Sequence, residues 1–216
     1  MTVQAPLPDY AAARSTMVDS QLRAQGVNDP AVVAAMARVP REEFVPNEVR
    51  PLAYIDRTLP IGGGRLMSPP AVPGLLLTQL APVRGERALV VGAGTGYSAA
   101  VLREIGLEVT AVESSPELAA TARERGIAVT EGPLEAGARR GAPYDIVLID
   151  GAVEFIPDTL ITQLKDGGRL GAALVEGGIS RLIVGRKAGG GFGYHSFSDT
   201  AAAALPGFRR PRGFTF

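Results

Sequence analysis

Ala88-Leu89-Val90-Val91-Gly92-Ala93-Gly94-Thr95-Gly96-Tyr97 is the stretch that decides the fold. An unbroken apolar run at Ala88–Val91 suits a strand covered by helices on both faces. The glycines that follow let the backbone turn tightly, and a helix over Tyr97–Ile105 then stops at Gly106. The rhythm repeats downstream. A second strand spans Glu108–Val112, Ser115-Pro116 caps a helix to Arg125, and Gly126 closes it. Ile127–Thr130 reads as a third strand, Asp145–Ile149 as a fourth and Arg169–Leu174 as a fifth. A helix over Pro157–Leu164 and a Gly167-Gly168 turn stand between the last two. Strands alternating with helices imply right-handed crossovers and a parallel sheet. The end breaks that pattern: Arg181–Val184, a turn over Ala188–Gly191 and Tyr194–Phe197 read as a hairpin. The expected fold class is α/β, with a seven-stranded mixed sheet, mostly parallel, finished by an antiparallel hairpin.

Upstream, Tyr10, Ala13, Met17, Val18 and Leu22 recur at helical spacing, and Gly26 is a natural stop. Asp29-Pro30 starts a second helix carrying Val32, Val33 and Met36 and ending by Pro40. Residues 40–74 differ, with Pro at 40, 46, 51, 60, 69, 70 and 73 and the run Gly62-Gly63-Gly64. Long irregular segments of this kind are usually lids or binding loops. Two regions are therefore expected, an N-terminal helical region with a Pro/Gly-rich loop over 1–80 and the α/β core over 81–216.

Composition narrows the chemistry. The 216 residues hold 22 Lys+Arg against 22 Asp+Glu, so no net positive field favours nucleic acid or anionic lipid. The absence of Cys excludes a disulfide scaffold, a thiolate metal site and a cysteine nucleophile, and one His (His195) gives no basis for a zinc site or a Ser-His-Asp triad. No metal is expected. The first residues lack a basic start followed by an apolar stretch, and no apolar run approaches the roughly 20 residues of a membrane span. The expectation is a cytoplasmic protein, a monomer or weak homo-oligomer. The basic tail Arg209-Arg210-Pro211-Arg212 reads as a solvated end.

The glycine turn carries the ligand reading. A helix N-terminus behind it offers free N–H groups, and Glu113 ends the second strand 21 residues after Gly92, where a carboxylate can accept from ribose hydroxyls. The dinucleotide fingerprint wants G-x-G-x-x-G. Here the spacing is G-x-G-x-G, with Tyr97 at the dinucleotide position, and no second mononucleotide half follows. S-adenosylmethionine (SAM), which has adenine and ribose but no pyrophosphate, fits better.

The chain resembles the protein-L-isoaspartate O-methyltransferase family from roughly Tyr10 to Arg169. The matching stretches are Met17-Val18, Gln21-Leu22-Arg23, Gly26-Val27, Val39-Pro40-Arg41, Phe44-Val45-Pro46, Ala53-Tyr54-Ile55-Asp56 and Leu59-Pro60-Ile61-Gly62. Gly92–Tyr97 with Ala99-Ala100-Val101-Leu102, the strand Tyr144–Ile149, Ile156-Pro157 and Gln163-Leu164 complete them. The resemblance implies the Rossmann-like SAM-dependent methyltransferase fold with an N-terminal helical extension. It implies methyl transfer from SAM, leaving S-adenosyl-L-homocysteine, to the α-carboxylate of L-isoaspartyl, and also D-aspartyl, residues of damaged proteins. It places the cofactor on Gly92, Gly94, Gly96 and Glu113. Ala93, Thr95, Tyr97, Ser114, Gly132, Pro133 and Leu134 are expected beside it, and Asp150, at the end of the fourth strand, either as a further cofactor contact or as a solvated strand end. It places the acceptor on Met67, Ser68 and Pro69, with Ser68 as the catalytic residue. Tyr54 and Asp56 are expected either to line the acceptor cleft or to anchor its loop. A carboxylate acceptor is ionised at pH 7, so positioning and exclusion of water suffice and no general base is needed.

Three departures from the family pattern stand out. The family's Gly-Asp-Gly, whose Asp holds the adenine amino group, is Gly132-Pro133-Leu134 here. The polar Gln-Thr-Ile before the catalytic Ser is Arg65-Leu66-Met67, and the Pro-Val turn after the fifth strand is replaced by an apolar run over Gly171–Val175. A weakly catalytic or non-catalytic SAM-binding relative, and a carboxyl methyltransferase with another acceptor, remain as alternatives.

Overall fold

The computed structural model describes residues 9–210, so Pro211 and Arg212 of the basic tail lie outside the described residues. In the middle of five adjacent strands is β3 (Arg87–Val91), with β4 (Glu108–Glu113) and β5 (Ala128–Glu131) on one side and β6 (Tyr144–Val153) and β7 (Leu164–Glu176) on the other. These five run parallel. β8 (Ile179–Ala188) and β9 (Gly191–Asp199) extend the sheet antiparallel, giving the order β5-β4-β3-β6-β7-β8-β9. The antiparallel part is larger than the expected hairpin. Gly177-Gly178 (φ 58° and 81°) and Gly189-Gly190 (φ 56° and 81°) each close a two-residue turn, so β7, β8 and β9 form a meander. Positive φ at both central residues is what such hairpin turns require.

Alternation along β3 sends side chains to two cores. Ala88 and Val90 join one cluster, and Leu89 and Val91 the other. The first cluster holds the N-terminal helices, α3 (Ala71–Leu80), α4 (Tyr97–Ile105) and α5 (Pro116–Glu124). The second holds Leu160 of α6 (Asp158–Thr162) with Leu205 and Phe208. Residues such as Met17, Met36, Phe44 and Leu76 therefore share one continuous core with Val90 and Ile146 of the sheet.

Several expected boundaries change. The first helix divides into α1 (Tyr10–Thr16) and a π-helical stretch over Met17–Leu22, ending before Gly26 at φ 92°. α2 (Pro30–Arg38) starts on Asp29, whose carboxylate accepts from the N–H of Ala31 and Val32 (2.9 and 3.0 Å). The segment 40–74 is less irregular than its prolines suggest. It contains a hairpin, β1 (Leu59–Gly62) and β2 (Arg65–Met67), and the first turn of α3, where Pro73 is accepted near the helix start. Gly167 and Gly168 lie in a bulge of β7, where the pairing with β6 jumps from Leu164 to Arg169. Among the described residues no helix is long and apolar enough to cross a membrane.

Candidate active site

The parallel register Val91↔Val112 brings the carboxyl ends of β3 and β4 together, which sets Glu113 beside the glycine turn. The turn is pinned there by the N–H groups of Gly92 and Ala93, both donating to the Val112 carbonyl (2.9 and 3.1 Å). Gly94 is left-handed at φ 55°, and a Cβ on it would lie 2.7 Å from Ile61 Cδ1. A side chain here would meet a left-handed backbone and push Ile61 aside, whereas glycine leaves the backbone open to a ligand. Glu113 is fully buried. Its Oε2 accepts from the Gly94 N–H (2.7 Å), and its Oε1 accepts from the N–H of Ser114 and Ser115 (2.8 and 3.0 Å) and from Arg65 Nη1 (2.7 Å). This cradle suits an adenosine cofactor, since Oε2 keeps capacity for a ribose hydroxyl while Arg65 rests on Oε1.

The β1–β2 hairpin carries or leads into the residues that the resemblance sets on the acceptor side. Strand alternation buries Arg65 and Met67 and leaves Leu66 half-exposed at the rim. Ser68 follows, 5% exposed, with its carbonyl held by Arg41 Nη2 at 2.6 Å. Ser68, Met67, Arg65, Arg41, Tyr97 and Asp150 meet at a cavity of about 20 Å3 against the glycine turn. Asp150 does not end its strand, as expected, but lies within β6 at an irregularity next to Gly151. Burial raises its pKa, opposed by hydrogen bonding from Ser98 and by the charges of Arg65 and Arg41.

Thr95 also lines this cavity, and the remaining expected site residues have the following surroundings. Thr95 turns its hydroxyl to the Phe44 carbonyl (2.5 Å), tying the glycine turn to the N-terminal region. Gly96, at φ 99°, caps α4 and faces Ile127 and Ala122. The Gly132 N–H donates to the Glu113 carbonyl (3.2 Å), Pro133 is exposed and Leu134 is buried in the second core. Pro69, half-buried, accepts through its carbonyl from the Val72 N–H in the first turn of α3. Tyr54 donates its hydroxyl to Glu42 and accepts from Arg14 Nε (2.8 Å). Asp56 is exposed and accepts from Gln25 Nε2 (3.1 Å). Neither lines the cavity. In the sequence Arg41 stands out only as part of the Val39-Pro40-Arg41 stretch, with no role attached, and nothing marks Ser98.

A parallel sheet whose central turn, three glycines long, faces a buried strand-end carboxylate defines a Rossmann-like nucleoside-binding enzyme of the SAM-dependent methyltransferase class. The family model described as Protein-L-isoaspartate(D-aspartate) O-methyltransferase (PCMT) matches residues 13–194. The chain is 45% identical over 171 residues to the Protein-L-isoaspartate O-methyltransferase of Methylorubrum extorquens (strain PA1), covering 76% of this chain and 75% of that one. It is 38% identical to that of Koribacter versatilis (strain Ellin345), covering 88% and 89%. A solved protein-L-isoaspartate O-methyltransferase superposes with TM-score 0.78 at 25% identity, over 90% of this chain and 66% of that chain. A Plasmodium falciparum structure described as of this kind, in complex with S-adenosyl-L-homocysteine, gives TM-score 0.77 at 18% identity, over 92% of this chain and 99% of that one. The chain belongs to the protein-L-isoaspartate(D-aspartate) O-methyltransferase family.

Proposed function

We propose that the protein transfers the methyl group of SAM to the α-carboxylate of L-isoaspartyl residues in damaged proteins, with D-aspartyl residues as a second acceptor class. The observation that carries this reading is the meeting of Ser68 and the glycine turn at one buried cavity. SAM, when bound, supplies an electrophilic methyl group. Glu113 and the backbone of Gly92–Gly96 hold the nucleoside end. Pro133 is exposed and has no side-chain acceptor, so the adenine amino group loses the contact that the family's Asp makes.

On the acceptor side, Ser68 Oγ donates to one carboxylate oxygen, and Arg41 fixes the Ser68 backbone through its carbonyl. A charge-assisted hydrogen bond of this kind orients the carboxylate without taking its proton. The β1–β2 hairpin walls the cavity from water, so proximity and desolvation do the remaining work. The reading makes the protein a cytoplasmic repair enzyme, monomeric or weakly self-associating, that binds neither nucleic acid nor membrane.

The test is transfer of labelled methyl from SAM to an isoaspartyl peptide, with the aspartyl peptide as control. Label on the isoaspartyl peptide alone is expected. No label on either, at high enzyme and saturating SAM, would sink the reading.

A further inference from the structure

Two arginines face the cavity, and their guanidinium groups are committed differently. Arg65 spends Nη1 on Glu113 and Nη2 on the Gly92 carbonyl (3.3 Å). Arg41 is fully buried on the 3-10 turn Arg41–Phe44 and is gripped on two edges. Its Nε donates to the Ala53 carbonyl (2.8 Å) and its Nη2 to that of Ser68 (2.6 Å), and Cζ lies 4.8 Å from the Tyr97 ring centroid. Its Nη1 is buried without a partner, and so is the Tyr97 hydroxyl. Tyr97 is 3% exposed, its ring held edge-to-face on Phe44 at 5.6 Å.

Buried donors without acceptors are rare in folded proteins because each has lost water and gained nothing. Here two occur on contacting side chains, one of them cationic, and both residues line the cavity that holds Ser68. The cavity has room for about one oxygen atom. Two O–H and N–H donors and a positive charge call for an anionic oxygen. Asp150 faces the same cavity, but neither Nη1 nor the hydroxyl donates to it. Burial lowers the Arg41 pKa and raises that of Tyr97, and in each case the contact with the other side chain opposes the shift.

We infer that Arg41 Nη1 and the Tyr97 hydroxyl are the receptor for a carboxylate oxygen of the methyl acceptor, seated beside Ser68. The assignment rests on the isoaspartyl reading above. The other carboxylate brought to this site belongs to the amino-acid end of the cofactor, and the experiment separates the two.

Tyr97→Phe deletes only the hydroxyl and keeps the ring against Phe44 and Arg41. Three quantities are measured: thermal stability of the free protein, S-adenosyl-L-homocysteine affinity by calorimetry, and steady-state methylation of the isoaspartyl peptide. The variant is expected to be at least as stable as the parent, because an unpaired buried hydroxyl is gone. Its cofactor affinity should stay within about twofold, and its KM for the peptide should rise about tenfold, the effect of one lost hydrogen bond to a charged group. Calorimetric titration of the peptide onto the homocysteine complex should show the same loss. Arg41→Lys should raise KM further, since Lys cannot also hold both carbonyls. Weakened cofactor binding with an unchanged KM would give these donors to the cofactor and overturn the assignment. No change in either quantity would overturn it as well. Failure of the parent protein to methylate the peptide would remove the functional reading and the assignment together, whereas methylation with an unaltered Tyr97→Phe KM would remove only the assignment.

Discussion

Arg65 Nη1 lies 2.7 Å from Glu113 Oε1, an ion pair whose side chains are 8% and 0% exposed, at the place where a bound ribose would meet the carboxylate. The cofactor must share Glu113 with this guanidinium or displace it. Where the family has Gln before its Thr-Ile-Ser, a neutral amide would compete less strongly. Arg65→Gln is therefore expected to tighten S-adenosyl-L-homocysteine binding by about tenfold, or about 1.4 kcal/mol. Removing one partner of a buried pair costs about 3–5 kcal/mol. Glu113 keeps the Gly94, Ser114 and Ser115 N–H groups, so the loss of stability should fall below that range. Calorimetry and thermal unfolding read both effects. Weaker binding by the variant would show that Arg65 is itself a cofactor ligand.

Gly94→Asp should abolish measurable cofactor binding, a loss of at least about 100-fold. The left-handed backbone at φ 55° disfavours any side chain, the new Cβ would sit 2.7 Å from Ile61 Cδ1, and a second carboxylate would stand beside Glu113. Equilibrium binding of S-adenosyl-L-homocysteine checks it.

Ser68→Ala should lower kcat about 10- to 100-fold, matching the loss of a hydrogen bond to a charged group worth about 1.5–3 kcal/mol. Cofactor affinity should not change, because Arg41 grips the Ser68 carbonyl and not its hydroxyl. An unchanged kcat would remove Ser68 from the reaction.

Asp145 predicts a pH dependence of stability. Burial pushes its pKa up, but the Arg87 N–H (2.8 Å) and Lys165 Nζ (2.7 and 2.8 Å) outweigh burial and hold it below its ordinary 3.8. A depressed carboxylate pKa contributes stability that is complete above about 3.8 and is lost as pH falls through the folded value. Asp145→Asn should cost about 1–2 kcal/mol at pH 7, discounted for the partly exposed Lys165. The difference from the parent should vanish at the acid limit. Urea unfolding from pH 7 downward measures it.

The sheet and the glycine turn were legible because both are local: Ala88–Val91 and the glycines 92, 94 and 96 declare themselves by type and spacing. The β1–β2 hairpin and α3 were hidden by prolines that the structure places on strand edges and in a helix's first turn. Pro60 is the exposed residue between buried Leu59 and Ile61. The partners of Glu113 and Ser68 were not legible at all. Arg65 lies 48 residues from Glu113, and Arg41 lies 27 from Ser68. No periodicity links residues so far apart, because only the closed fold brings them within reach. Tyr54 and Asp56 show the reverse case, a motif whose pattern is equally well explained by anchoring to Arg14, Glu42 and Gln25.

The continuous core that joins Met36 and Phe44 to Val90 and Ile146 bears on how such an enzyme can change its acceptor. The N-terminal region is no exchangeable cassette. Grafting it from a relative would disturb the Thr95–Phe44 link and the packing of that core against the sheet face beneath. On the proposed acceptor site, specificity would drift by single substitutions on the β1–β2 hairpin sooner than by recombination of whole segments.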